Sequence, residues 1–209
     1  MTLKLSTDAT RWSRDLATGD PLLVLLHGYG ADEADLLGLA PHLPAALTLV
    51  ALRAPLPAQA GFAWVPIADP GRPDPAATQA AADAVLAWLD EHVPGSTPVF
   101  LLGFSQGGLM VTHLLRSAPS RFVAGVVLSG FVVDASGAGD HALAQAAPPV
   151  FFGRGTVDPI IDSAAFDRAR TFLAAHTTLT ERVYPGLGHG ITMDELTDVR
   201  AFLDSHLPG

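Results

Sequence analysis

The chain has 209 residues, 49% of them hydrophobic and 16% charged, with a formal charge of −9 from 12 basic and 21 acidic side chains. That length and apolar content allow a substantial core, and a single α/β domain over residues 1–209 is expected. No basic run exists and Lys4 is the only lysine, which argues against nucleic acid as a partner, while the lack of cysteine excludes disulfides, thiolate metal sites and a cysteine nucleophile.

The first twenty residues carry polar and charged side chains throughout and lack the apolar core of a signal peptide. The first apolar run, PLLVLL, is too short to span a bilayer. A soluble, cytoplasmic protein without stable membrane insertion is the expectation.

Apolar runs at 22–26, 47–52, 98–102, 122–128, 150–152 and, less purely, 179–184 are rich in Val, Leu or Phe and bounded by Gly, Pro or Asp. Near-continuous runs of this length suit strands buried on both faces of a parallel sheet. Helical periodicity occupies 32–43, 76–92, 105–117, 162–176 and 192–206. The first of these opens on acidic residues, as a helix N-terminus favours. Strands alternating with such helices predict a doubly wound, mostly parallel α/β sheet with helices on both faces. Segment 53–75 interrupts the rhythm with six prolines, Phe62 and Trp64. Its length and aromatics mark it as the wall or rim of a binding cleft.

Ligands of open parallel sheets bind beyond the carboxyl ends of the strands. There the sequence reads HGYGADE, GFSQGG, SGF, GRGTVDP and PGLGHG in turn. Gly103-Phe104-Ser105-Gln106-Gly107 fits G-x-S-x-G between a strand and a helix, where glycines two positions either side clear space for a serine on a strained turn. The blander alternative is a helix-entry turn with Ser105 as its cap. A serine hydroxyl needs a base. His42, His92, His113, His176 and His206 fall in or at the ends of predicted helices, and His141 in a segment without clear periodicity. His27 ends the first strand, where its neighbouring glycines give it a role in supporting the loop. His189 follows the last strand on a glycine-rich turn and is the candidate base. Asp158, after the fifth strand, is the candidate partner that fixes the histidine tautomer. Asp162 reads as the next helix's N-cap, and Asp134 and Asp140 are weaker candidates.

The order Ser, Asp, His, each after its own strand, is that of α/β-hydrolases. The developing oxyanion then needs donors. These are the backbone N–H of Gln106, after the nucleophile, and that of Tyr29, in the first loop. Phe62, Trp64, Ile160 and Leu187 lie in loops at this edge and are the candidates for an apolar acyl site. No metal-ligand spacing and no G-K-[ST] phosphate loop occurs, so no metal or cofactor is expected.

LLHGYGADE, LRAP, FAWV, GFSQGG, LSG, GTVDP and GLGHG, in this order, resemble the phospholipase/carboxylesterase family, which includes acyl-protein thioesterases and small bacterial carboxylesterases. The resemblance implies a compact α/β-hydrolase with little or no lid. It would cleave short- to medium-chain acyl esters or thioesters without a cofactor. It also implies Ser105, Asp158 and His189 as the triad, with Tyr29 and Gln106 as backbone donors. Family members often form dimers, which leaves a homodimer open. One departure is that Trp64 is followed by Val65-Pro66-Ile67 instead of a second aromatic and a polar residue, which bears on acyl-pocket shape and not on the reaction. Segment 130–150 is short and Ala-rich, consistent with an open cleft. A peptidase of the same fold and a non-catalytic hydrolase-like ligand-binding module remain the alternatives.

Overall fold

The computed structural model describes residues 3–58, 60–67, 69 and 71–208. Its main sheet has seven strands in the order β1-β3-β2-β6-β7-β8-β9. These are β1 (Arg11–Trp12), β2 (Leu22–Leu26), β3 (Thr48–Leu52), β6 (Val99–Phe104), β7 (Ala124–Leu128), β8 (Pro149–Gly155) and β9 (Thr178–Tyr184). The β1–β3 pair is antiparallel and the other pairs are parallel.

The central strands are apolar because both of their faces are covered. Leu22, Val24 and Leu26 of β2 join one core cluster with α1 (Pro75–His92), α2 (Gln106–Ser117) and α4 (Ser163–His176). Leu23 and Leu25 join the other, with α5 (Met193–Asp204) and a 3-10 helix at Leu36–His42. This strict period of two places every second side chain on one face. Each fully buried leucine contributes roughly 1.5–3 kcal/mol.

Helix starts follow local chemistry. Asp74 accepts from Ala77 N–H at 2.7 Å with Pro75 next in line, Asp162 accepts from Ala165 N–H at 2.6 Å, and Thr192 Oγ accepts from Glu195 N–H at 3.3 Å. Asp162 is therefore the N-cap that its position predicts.

The helix expected at 32–43 forms only as a 3-10 helix at Leu36–His42. An Asx turn in which Asp32 accepts from Ala34 N–H at 2.9 Å leads into the 3-10 helix, which contains Pro41. Proline there has no N–H to continue an α-helical ladder. The acidic side chain of Glu33 is used instead as a buried partner of Arg53, at 2.6 and 2.7 Å. That contact holds the Glu33 carboxyl below its usual range. Periodicity also misses the hairpin β4 (Leu56–Ala58)–β5 (Gly61–Ala63) inside segment 53–75, edge strand β1, and the short α3 (Asp140–Ala146). Gln59, Ala68 and Pro70 of segment 53–75 lie outside the described residues. No helix among the described residues is long and apolar enough to cross a membrane.

Two buried titratable groups on opposite faces of the sheet respond oppositely to pH. Glu195 is wholly buried in the first turn of α5, its carboxyl filling the place of a Cβ at Gly153. Burial raises its pKa from 4.5 to about 7. His113 on α2 bonds Gln79 Oε1 through Nε2 at 3.0 Å, and burial, then Arg116, lower its pKa from 6.5 to about 4. Between about pH 4.5 and 7 the unfolded chain has released the Glu195 proton while the folded one retains it. The Glu195 contribution therefore declines as pH rises, by up to about 3 kcal/mol. That of His113 is present above its unfolded pKa and is lost as pH falls through about 4. Urea unfolding of Glu195→Gln should gain stability relative to the parent as pH rises from 4.5 to 7.5. A difference between the two proteins that stays constant over this range contradicts the assignment.

Candidate active site

Strand β6 runs straight into α2 through Ser105, whose backbone has φ 54° and ψ −113°. This is the left-handed side of conformational space, costly for a residue with a Cβ. Its neighbours enforce it. Ser105 N–H donates to Leu128 O at 2.8 Å, anchoring the turn to β7. A Cβ at Gly103 would strike Gly107 O, and one at Gly107 would strike Leu26 O at the end of β2. Gly108 packs against Gly130, so the three glycines serve two purposes, room at the turn and close approach of the helix. Ser105 does not cap α2 with its side chain, so the helix-cap alternative does not describe this turn.

The hydroxyl points instead to the loop after β9. Ser105 Oγ lies 2.9 Å from His189 Nε2, and His189 Nδ1–H donates to Asp158 Oδ2 at 2.7 Å. The carboxylate can only accept here, which leaves Nε2 free to accept from the serine. Asp158 is itself held in place, because Oδ1 accepts from the N–H groups of Ile160 and Ile161 at 2.8 and 2.9 Å. The Asp158 and His189 loops are joined, with Val157 N–H donating to Leu187 O at 3.1 Å and Gly186 N–H to Thr156 Oγ1 at 2.9 Å. Phe104 packs on the imidazole with ring centroids 4.9 Å apart. Asp134 and Asp140 are elsewhere, facing Arg168 and Arg116.

A cavity of about 300 Å³ opens beside Ser105, and both Tyr29 and Gln106 line it. Neither residue's backbone N–H has an acceptor among the described residues. Gln106 begins α2, so its N–H belongs to the unpaired, positively polarised end of the helix. The apolar wall is Val65, Pro66, Ile67, Phe131, Ile160 and Ile161.

Of the four residues expected in the acyl site, Ile160 lines the cavity and three do not. Trp64 is fully buried and donates from its indole to His27 O at 2.9 Å. Phe62 lies beneath the Arg53 guanidinium, 4.5 Å from ring centroid to Cζ, with its backbone bonded to Gly30 and Ala31. Leu187 contributes its carbonyl to the bracing of the Asp158 loop. The β4–β5 hairpin aims Phe62 and Trp64 away from the cavity, and the three residues after Trp64 form its wall. Of these three, Val65 is buried while Pro66 and Ile67 are exposed.

His27 supports the first loop, as its position predicts. Nδ1–H donates to Gly28 O at 2.7 Å and Nε2 accepts from Ala54 N–H at 3.1 Å. Burial lowers its pKa, in keeping with a neutral ring.

A mostly parallel sheet covered on both faces, with serine, aspartate and histidine meeting beyond its carboxyl ends, defines an α/β-hydrolase. Residues 16–207 match the family described as Phospholipase/Carboxylesterase, and the chain belongs to it. It is similar to the carboxylesterase SOBER1 of Arabidopsis thaliana, 32% identical over 60% of this chain and 57% of that one. It is also similar to acyl-protein thioesterase 1 of Saccharomyces cerevisiae, 26% identical over 52% of this chain and 50% of the yeast protein. The chain thus spans about half the length of the curated relatives it matches. Among solved structures it is similar to esterase PE8, with 26% identity, a TM-score of 0.82 and coverage of 98% of this chain and 100% of that one.

Gly107→Ala tests the geometry of the turn. Backbone must shift to admit the methyl group, so a loss of about 3 kcal/mol or more is expected in thermal or urea unfolding. An unchanged melting temperature contradicts the close approach to Leu26 O.

Proposed function

We propose that the chain is a serine hydrolase cleaving carboxylic esters or thioesters with short- to medium-chain acyl groups. The observation that carries this is the continuous hydrogen-bonded chain from Ser105 through His189 to Asp158 at the mouth of an apolar cavity. Membership of the phospholipase/carboxylesterase family, and the carboxylesterase and thioesterase names of the relatives, support it.

In this mechanism His189 Nε2 takes the Ser105 proton as Oγ attacks the acyl carbonyl carbon. The carbonyl electron pair moves onto oxygen, and the Tyr29 and Gln106 N–H groups stabilise that oxyanion. When the tetrahedral centre collapses, the bond to the alcohol or thiol breaks and the leaving group departs with the proton from His189. Water, deprotonated by the same imidazole, then attacks the acyl-Ser105 ester and releases the acid. Asp158 stays ionised and keeps the ring in the tautomer that accepts from serine. A cavity of about 300 Å³ is at the lower end of small-molecule sites, which favours short acyl chains over long ones.

With p-nitrophenyl butyrate as substrate, Ser105→Ala should lower turnover by about 10⁴-fold or more. Asp158→Asn should lower kcat by about 10³–10⁴-fold, because the amide favours the wrong tautomer. Parental rates in the serine variant would refute the mechanism. Turnover of an anilide matching that of its ester would point to the peptidase alternative.

A further inference from the structure

Behind the reacting groups lies a second set of buried polar contacts, continuous from one proposed oxyanion donor to the other. At one end, Gln106 lines the cavity and its backbone N–H has no acceptor among the described residues, while its side chain is committed to the segment after β5. Its Oε1 accepts from Trp64 N–H at 2.7 Å and its Nε2 donates to Val65 O at 2.8 Å. This pair of bonds clamps the chain just where it becomes the cavity wall. Trp64 then donates from its indole to His27 O at 2.9 Å and packs against the imidazole, ring centroids 5.5 Å apart. At the other end, His27 Nδ1–H donates to Gly28 O at 2.7 Å, while its Nε2 is fixed by Ala54 N–H. His27, Trp64 and Gln106 are all essentially without solvent exposure.

The last contact has a directional consequence. Gly28 C=O and Tyr29 N–H belong to one planar trans peptide and point in opposite directions. The carbonyl also accepts from Ala31 N–H at 3.3 Å, and a hydrogen bond that holds it toward His27 holds the Tyr29 N–H away from that ring; Tyr29 lines the cavity. The same bond polarises the peptide and makes that N–H a better donor. The ring does this in one protonation state, with hydrogen on Nδ1 and a bare Nε2, since Ala54 N–H occupies the other nitrogen.

We propose that the Gln106 side chain, Trp64 and His27 form one positioning network that sets the direction of both oxyanion donors and couples them to the cavity wall at Val65. The proposal rests on the serine hydrolase reading above. None of the three side chains touches the reacting atoms. They act through the Gln106 turn and through the Gly28–Tyr29 peptide. Misdirecting donors matters most when charge develops, so the network governs the tetrahedral state and not ground-state binding.

The test compares Trp64→Phe, which deletes the indole N–H and keeps a ring, with Gln106→Met, which deletes the clamp, and with the double variant. Three quantities are measured: kcat and KM for p-nitrophenyl butyrate, and the affinity for an alkyl trifluoromethyl ketone. Ser105 Oγ adds to that ketone carbon, the carbonyl pair becomes an oxyanion and the proton passes to His189, so its affinity reports the donors directly. Each single variant should lose about 10–100-fold in kcat. The ketone affinity should fall in parallel and KM should change little. The double variant should lose less than the product of the two, because both cut the same network. Parental kcat and ketone affinity in Trp64→Phe would overturn the network, and that variant stands alone should Gln106→Met fail to fold. Loss of KM and melting temperature with kcat retained would overturn it too, assigning these residues to structure only. Wild-type protein without turnover or ketone binding would overturn the hydrolase reading beneath it.

Discussion

The backbone of Ser105 is held at φ 54° between a buried strand and a buried helix, and most of the site depends on that one constraint. Such a conformation costs on the order of 1–3 kcal/mol and persists only where its surroundings leave no alternative. Here the surroundings are the bond from Ser105 N–H to Leu128 O, the close contacts at Gly103 and Gly107, and the packing of α2 on both β6 and β7. The turn has two simultaneous results. It raises Oγ above the sheet toward His189, and it begins a helix whose first N–H, that of Gln106, has no acceptor among the described residues. The candidate nucleophile and a candidate oxyanion donor are thus adjacent residues positioned by one bend.

Parallel strand order explains why the other groups converge on that bend. With β2, β6, β7, β8 and β9 all running the same way, the loops carrying Tyr29, Ser105, Phe131, Asp158 and His189 leave from the same edge. Neighbouring loops then brace each other through backbone contacts, as Leu187 O does for Val157. Side chains far apart in sequence meet at hydrogen-bond distance because the sheet register, fixed by two apolar cores, leaves them little freedom. The stability of those cores is the source of the site's precision.

Much of this was legible in the residues. The run Leu22–Leu26 is read with unchanged bounds, since a strand buried on both faces leaves an unbroken apolar signature. Ser105 and Asp158 could be picked out because each lies in the loop after such a strand, and His189 because it follows the less apolar β9 on a glycine-rich turn. The cavity wall could not be read in the same way. Trp64 and Ile67 are three residues apart in one loop, yet the first is buried and the second 45% exposed. Irregular backbone has no period from which to infer where a side chain points. Segment 32–43 has leucines at helical spacing, yet with Gly38 and Pro41 inside, it forms only a 3-10 helix. The second role of Gln106 was hidden too. A motif marks its backbone, whereas its side chain is committed by contacts 41 and 42 residues away in sequence.

The central claim is that the fold makes Ser105 a nucleophile through His189. The most direct measurement is labelling of the native protein with a fluorophosphonate probe, followed by intact mass and peptide mapping. A single adduct on Ser105 is expected, abolished when the protein is unfolded in urea and strongly slowed in His189→Ala. No adduct on the folded chain, or an adduct on a different serine, would contradict it.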